Sequence, residues 1–137
     1  MEVSIIIVKN SKNQFYVHQR SADKKRFPNL YGLGAGGKIE KNELPEVAAK
    51  RELEEELGLN TPLKFLFKLK YIDGLMMHIF LTSADKIDKP CPREFSWSGF
   101  LSTKETDNLM LAKKMCPDTE MFYRKYRKEL ENANFDY

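Results

Sequence analysis

The run RELEEELGL at residues 51–59, in which three consecutive glutamates precede a glycine, restricts the possible folds of this sequence most strongly. The apolar spacing before it predicts that Glu54, Glu55 and Glu56 lie in the last turn of a helix that ends at Gly58. A helix C-terminus carries the equivalent of roughly half a negative charge, so each acidic side chain there is disfavoured by about 0.3–1 kcal/mol. The fold therefore has to supply something that offsets this negative charge.

The helix that contains this run is predicted over residues 44–57, with Pro45 in its first turn. At about 100° per residue, Glu52, Glu55 and Glu56 share one face of the helix. An adjacent apolar stripe, suited to packing against a sheet, consists of Ala49, Leu53 and Leu57.

The pattern alone leaves two interpretations of the acidic face open, a divalent-metal site and a solvated, salt-bridged helix surface. Lys50 and Arg51 precede their acidic partners at i+4, which is the less favourable order for helical ion pairs. Residues 38–59 contain seven glutamates and four basic residues, a local charge of −3; since the whole chain carries +3, the remainder carries +6. An acidic patch in a basic surround suits a cation site that receives an anionic substrate.

Length predicts a single domain over residues 1–137, and the order of strands and helices given below predicts the α/β class. The composition, 42% hydrophobic and 31% charged, is typical of soluble proteins, and the longest apolar run is too short to span a bilayer. We expect a cytoplasmic protein with free thiols at Cys91 and Cys116, no stable nucleic-acid or membrane partner, and a monomeric or homodimeric state.

Periodicity and turn signals predict the order of the elements. Residues 20–43 show neither a helical nor a strand period and are predicted to form a functional loop. Asp73-Gly74 indicates a tight hairpin turn. A Ser102-x-x-Glu105 capping box indicates the start of a later helix. Strands on both sides of one long helix predict a mixed sheet between helices. The other predicted elements are strands at 3–8, 14–19, 64–72, 75–83 and 95–101, of which the first two form a hairpin, and a helix at 118–131.

The segment GGKIEKNELPEVAAKRELEEELGL at residues 36–59 resembles the Nudix box, the signature of the MutT/Nudix hydrolase family. Every constrained position is filled at the required spacing, by Gly37, Glu43, Arg51-Glu52-Leu53, Glu55-Glu56 and Gly58-Leu59. The resemblance implies an α/β/α sandwich with a mixed β-sheet, and hydrolysis of a nucleoside diphosphate linked to another moiety.

The resemblance also implies that Mg²⁺ or Mn²⁺ is bound through Glu52, Glu55 and Glu56, with the main-chain carbonyl of Gly37 as a further ligand. Hard divalent cations prefer oxygen ligands, so the chemistry agrees with this assignment. Such an ion would offset the charge at the end of the helix. Among the ligands, Glu52 and Glu55 are also the candidate catalytic residues, Glu52 by orienting or deprotonating the attacking water.

Other residues are assigned supporting roles. Glu43 and Arg51 are predicted to hold the loop and the carboxylates in place. Some Nudix enzymes use an acidic residue of a later loop as the base, and Glu94, which directly precedes a predicted strand, is the best candidate here. Asp85 and Asp88 are less specific candidates for the same role.

The upstream segment HQRSADKKRFPNLYGLGAGGKIE resembles isopentenyl diphosphate isomerases and the hydrolases close to them. The catalytic cysteine and the metal-binding histidine of the isomerases fall at Ala35 and Gly37, so a hydrolase is favoured. Arg20 is the first candidate for binding substrate phosphates, and Lys38 is a second. His18 and His78, each in a strand-like stretch, are predicted to have core or sheet-face roles.

The sequence motifs restrict the class of substrate less than they restrict the class of reaction. A MutT-like activity on nucleoside triphosphates, including oxidised ones, is compatible with the segments GLGAGGKIE and LMMHIFLT. The alternatives are a catalytically inactive Nudix-fold module that binds nucleotides or has a regulatory role, and an isopentenyl diphosphate isomerase-like enzyme.

Overall fold

A computed structural model of the chain describes residues 1–135 and shows one mixed sheet between two helical layers. Its strands are β1 (Glu2–Lys9), β2 (Phe15–Arg20), β3 (Tyr31–Leu33), β4 (Ala35–Lys38), β5 (Lys64–Lys70), β6 (Met76–Ser83) and β7 (Phe95–Leu101). Its helices are α1 (Pro45–Leu57), α2 (Thr103–Leu111), α3 (Pro117–Lys125) and α4 (Arg127–Asn132).

The sheet is built around β1, which pairs in parallel with β6 along its whole length. The main path of the sheet runs β3-β2-β1-β6-β5, while β4 pairs antiparallel with β1 and β7 pairs antiparallel with β2. The pairing of β1 with β4 brings the strand that enters the glutamate-rich helix next to the centre of the sheet.

Successive side chains of β1 point to opposite faces of the sheet, and each face is covered by one of the two helical layers. Ile6 and Val8 point towards α1, whose apolar stripe of Ala49, Leu53 and Leu57 is buried as predicted. Ile7 points to the opposite face, which is covered by buried side chains of α2, α3 and α4 that include Met110, Phe122, Tyr123 and Leu130. The predicted α/β/α sandwich is therefore confirmed.

Most predicted elements occur at or near their predicted bounds, including the hairpin at Asp73-Gly74 and the Ser102 capping box. Two expectations need correction. The loop predicted at 20–43 contains β3 and β4, and the helix predicted at 118–131 is divided into α3 and α4 at Tyr126. The predicted hairpin of β1 and β2 is present, with antiparallel pairing at one register position.

Cys91 and Cys116 are free thiols, as predicted. Trp97 is 42% exposed and packs edge-on against Tyr31, so it lies at the surface and not in the core. No helix within residues 1–135 combines the length and the apolar character needed to cross a bilayer.

Candidate functional site

The glutamate-rich helix α1 ends at Gly58, which adopts the left-handed conformation at φ 66° and donates its backbone N–H to the carbonyl of Glu54. The buried apolar stripe fixes the rotation of the helix against the sheet. As a result Glu56 is buried and Glu52 half-buried beside β4, whereas Glu54 and Glu55 are exposed. The sequence pattern therefore places two of the three candidate ligands at the helix–strand junction.

Glu56 is the most buried carboxylate of this group, with a relative exposure of 7%. Its Oε1 accepts a hydrogen bond of 2.8 Å from the backbone N–H of Gly36 on β4. Burial raises the pKa of Glu56 to about 8, and the nearby charges of Glu52 and Glu94 act in the same direction. The fold thus holds a carboxyl group whose ionised form needs a nearby cation.

Glu52 lies against the backbone of Gly37, the position where β4 lacks a side chain. A Cβ atom at Gly37 would come within 2.4 Å of the Glu52 carboxylate. Burial raises the pKa of Glu52, an effect that its hydrogen bond to Arg51 partly opposes. A side chain at this position would therefore displace the Glu52 carboxylate, which is the flexible end of the Glu52 side chain.

Arg51 connects the acidic residues of the loop and the helix. Its Nε and Nη2 donate to the two carboxylate oxygens of Glu43, both at 2.9 Å, and its Nη1 donates to Glu52 at 2.7 Å. A longer ion pair of 3.5 Å joins Nη1 to Glu55, and Nη2 also donates to the carbonyl of Lys38. These contacts are those expected of a residue that orients carboxylates, and they lower the pKa of Glu43.

Glu94 approaches the same cluster from the loop before β7. Its carboxylate forms an ion pair of 2.5 Å with the ammonium of Lys24, and its backbone carbonyl accepts from the N–H of Ser21 at 3.2 Å. The segment at 21–24 and the start of β7 are therefore held together. Glu94 is close enough to raise the pKa of both Glu52 and Glu56 by charge repulsion.

A cavity of about 170 Å³ opens beside these carboxylates. Arg20, a predicted substrate-binding residue, lies in its wall and donates from Nε to the carbonyl of Arg26 at 2.8 Å. The side chain of Lys38, the second candidate, is exposed at the end of β4 and outside this wall. Other polar or charged wall residues are His18, Arg26, Glu56, Glu94, Cys116, Asp118 and Thr119.

The donor types and the space at Gly37 fit a hard divalent cation. Glu52, Glu55 and Glu56 offer carboxylate oxygens, and the lack of a side chain at Gly37 lets a carboxylate approach the backbone there. Within residues 1–135, no three His, Cys, Asp or Glu side chains converge on one point as metal ligands do. Glu52 and Glu55 instead contact Arg51, and Glu56 accepts from the Gly36 N–H, so binding an ion requires some of these contacts to rearrange.

Comparison with known proteins identifies the family. The sequence profile of the NUDIX domain matches residues 1–126. The chain belongs to the Nudix hydrolase family. A Nudix hydrolase of Streptomyces coelicolor, itself uncharacterised, is 32% identical over 126 residues, which cover 87% of this chain and 69% of the relative.

Two further relatives of this Nudix protein are informative. The 8-oxo-dGTP diphosphatase of Escherichia coli is 41% identical over 78 residues, which cover 52% of this chain and about half, 54%, of that enzyme. The crystal structure of DR0079 from Deinococcus radiodurans superposes with a TM-score of 0.82 at 22% identity, covering 90% of this chain and 81% of the other. The structural likeness establishes the Nudix fold.

Three features of the Nudix site were not predicted from the sequence, although His18 was assigned a core or sheet-face role and Lys24 was a candidate for contacting substrate phosphates. Lys24 contacts Glu94 across a separation of 70 residues, Cys116 enters the cavity from the start of α3, and His18 lies in its wall. For His18, the one available signal was a polar residue within a strand of apolar and aromatic neighbours. The other two contacts arise from tertiary structure and have no local signal.

Replacing Gly37 with alanine is expected to reduce metal-dependent activity by roughly 10- to 100-fold, the range observed when residues supporting a metal site are changed. The added Cβ displaces the Glu52 carboxylate, whereas the extended backbone of β4 accepts alanine without strain. Steady-state kinetics and thermal unfolding of the variant test this prediction. Activity equal to that of the wild type would show that the position of Glu52 against Gly37 is unimportant.

Proposed function

We propose that this Nudix protein hydrolyses a phosphoanhydride bond in a nucleoside diphosphate linked to another moiety, using Mg²⁺ or Mn²⁺. One observation carries the proposal: Glu56, Glu94 and the backbone of Gly36 and Gly37 form part of a cavity wall. A substrate can therefore place its phosphates at the acidic face while another moiety enters the cavity. A solvated acidic helix surface would have no such cavity beside it.

The proposed ligands of the ion are Glu52, Glu55, Glu56 and the carbonyl of Gly37. When bound, the ion supplies a water of lowered pKa and neutralises charge that develops on the phosphate oxygens. Arg51 orients Glu52 through its hydrogen bond of 2.7 Å and is itself held by Glu43.

Glu52 and Glu94 are the candidates for accepting a proton from the attacking water. Glu52 is held beside the other proposed ligands, and Glu94 faces the cavity while paired with Lys24. In the reaction the water oxygen bonds to phosphorus and the bridging P–O bond breaks. Its electron pair stays on the bridging oxygen, which leaves as part of the second phosphate-containing product.

A nucleoside triphosphate is the substrate class that we favour. The related E. coli enzyme is an 8-oxo-dGTP diphosphatase. The cavity, about 170 Å³, is smaller than the roughly 300–1,000 Å³ of sites that enclose a whole small molecule. It therefore suits one moiety of a nucleotide, with the phosphates at the glutamates and Arg20, a wall residue, as a candidate phosphate contact.

The residues do not favour isomerase chemistry. Ala35 and Gly37 stand where the isomerases have a cysteine and a metal-binding histidine. The cavity does contain a thiol, Cys116, but burial raises its pKa to about 12. A thiol with this pKa is poorly suited to proton transfer near neutral pH, so Cys116 does not replace the missing cysteine.

The test is product analysis with nucleoside triphosphates, oxidised nucleotides, nucleotide sugars, ADP-ribose, dinucleotides and isopentenyl diphosphate, each with Mg²⁺ or Mn²⁺ and with chelator. We expect chelator-sensitive cleavage of a nucleotide phosphoanhydride. Nucleotide binding without turnover across the panel would contradict the proposal and favour a binding module. Isomerisation of isopentenyl diphosphate would contradict it in favour of the isomerase.

A further inference from the structure

Strand β7 forms an outer edge of the sheet. It pairs with β2 and, within residues 1–135, with no other strand. An outer edge presents backbone N–H and C=O groups to which a further strand can bind, and proteins usually block such an edge with charged side chains or proline. The sequence of β7, FSWSGFL, contains neither a charged residue nor a proline.

The other long strand with a single partner, β5, is blocked in the usual way. It pairs with β6 alone and has exposed lysines at positions 64, 68 and 70. A second copy of the chain that paired with β5 would bring these like charges together across the interface. Of these two edges, β7 is therefore the one that suits pairing with its own copy.

A β-bulge determines the side of the sheet on which Trp97 lies. Trp97 pairs with Gln19 and Phe95 pairs with Arg20, so Ser96 is an extra residue between them. Phe95 consequently packs into the core under α1, whereas Trp97 lies on the face that carries α2. The pairing is regular from 97 to 101, so the bulge leaves most of the edge straight.

Trp97 stands beside a shallow cleft on this face. It is 42% exposed, and its indole lies over Gly99, where a Cβ atom would come within 3.1 Å of the ring. An exposed tryptophan next to an uncharged edge is the composition of an interface core, where aromatic residues are enriched and charged residues depleted. The cleft has a volume of about 290 Å³ and is lined by Gln19, Tyr31, Trp97, Leu101 and Leu109.

Antiparallel pairing of β7 with a second copy matches these features when Ser98 lies on the two-fold axis. Trp97 of one copy is then opposite Gly99 of the other, which has no side chain, so the two indoles can pack together on the α2 face. The start of one β7 also meets the end of the other. The exposed residues beyond these ends, Arg93 and Glu105, have opposite charges.

We propose that the chain forms a two-fold homodimer through antiparallel pairing of β7, with Trp97 at the centre of the interface. A second copy is favoured over an acidic or basic peptide because the strand carries no charge that would select either one. Self-pairing brings together neutral side chains along the strand and opposite charges at its ends. The proposal concerns assembly and does not depend on the reaction that the acidic site catalyses.

The test is sedimentation velocity of the full chain over a dilution series, together with the fluorescence of Trp97, the only tryptophan in the sequence. We expect a wild-type mass twice that of the single chain, and tryptophan emission that shifts to shorter wavelength as the dimer forms. Trp97→Lys should raise the dissociation constant of the dimer by at least about 30-fold, the effect of losing an interface hot spot. Amide hydrogen exchange at residues 96–100 should be slower in the wild-type dimer than in this variant.

The matched control is Ile72→Lys, which introduces the same charge at a large apolar residue that is 88% exposed in the turn before β6. This variant should dimerise as the wild type does, and circular dichroism should show that both variants are folded. A wild type that is monomeric at every concentration would overturn the inference. So would a dimer that persists in folded Trp97→Lys, or one that forms without slowing exchange in β7. Chelator-sensitive cleavage of nucleotides is measured separately, so a failure of the proposed function would be distinguishable from a failure of the dimer.

Discussion

Replacing Glu56 with glutamine is expected to lower Mg²⁺-dependent turnover by at least about 100-fold while making the protein more stable at alkaline pH in chelator. Loss of a proposed metal ligand should exceed the roughly 10- to 100-fold effect of changing a supporting residue. Glutamine keeps an oxygen that can accept from the Gly36 N–H but carries no charge. Steady-state kinetics with the favoured nucleotide measures the first effect.

The stability effect follows from the sign of the pKa shift. The folded state holds the proton of Glu56 up to about pH 8, whereas the unfolded chain releases it near 4.5. Between these values the folded state binds more protons, so the free energy of unfolding falls as pH rises. The Glu56→Gln variant cannot lose a proton at this position, so its free energy of unfolding should not fall in this way. Its melting temperature in chelator should therefore exceed that of the wild type at pH 8–9.

The control for Glu56→Gln is Glu54→Gln, a change at an exposed position of the same helix turn. It should leave both turnover and the pH dependence of melting close to wild type. Full Mg²⁺-dependent turnover in folded Glu56→Gln would show that Glu56 is not a ligand. A wild-type pH dependence in the same variant would show that the proton on Glu56 does not control stability.

Replacing Lys9 with methionine is expected to destabilise the fold by about 3 kcal/mol, or roughly 10 °C in melting temperature. Lys9 is 5% exposed, and its ammonium donates to the carbonyls of Leu130, Glu131 and Ala133 at 2.8–2.9 Å. These are carbonyls at the C-terminus of α4, which have no partner within the helix. Methionine has an unbranched side chain one atom shorter than that of lysine, and it removes this donor from all three carbonyls, while the Glu131 carbonyl keeps a second donor, the Asn13 side-chain amide at 3.2 Å.

The comparison for Lys9→Met is Lys12→Met, which changes an exposed lysine in the following turn. Thermal and denaturant unfolding should show a change within about 0.5 kcal/mol for this variant. If Lys9→Met unfolds with the stability of the wild type, water must satisfy these carbonyls as well as the lysine does.

The elements that could be predicted from sequence are those with local signals. The proline at the start and the glycine at the end of α1 mark its bounds, and the Asp73-Gly74 turn fixes the hairpin of β5 and β6. Strands β3 and β4 have only three and four residues and include glycines, so they lack the alternation of apolar and polar residues that would predict a strand. Their extended conformation comes from pairing with β2 and β1, which requires the tertiary fold.

The candidate site likewise has one part that a local sequence pattern predicts and another part that depends on the tertiary fold. The spacing of the box, read at 100° per residue, places Glu52 and Glu56 at one junction because a single helix carries both. The cavity beside them is assembled from separate segments that include strands β1 to β4, the loop after β2, the turn before β7 and the start of α3. No pattern within one segment predicts that Lys24 meets Glu94 or that His18 faces Gly32.

The central claim, that the acidic face of α1 binds a divalent cation, is tested most directly by titrating the protein with Mn²⁺ without substrate. We predict that the wild type and Glu54→Gln bind the ion with similar affinity and that Glu55→Gln binds it at least about tenfold more weakly. Binding by Glu55→Gln at wild-type affinity, or no binding by the wild type, would contradict this claim.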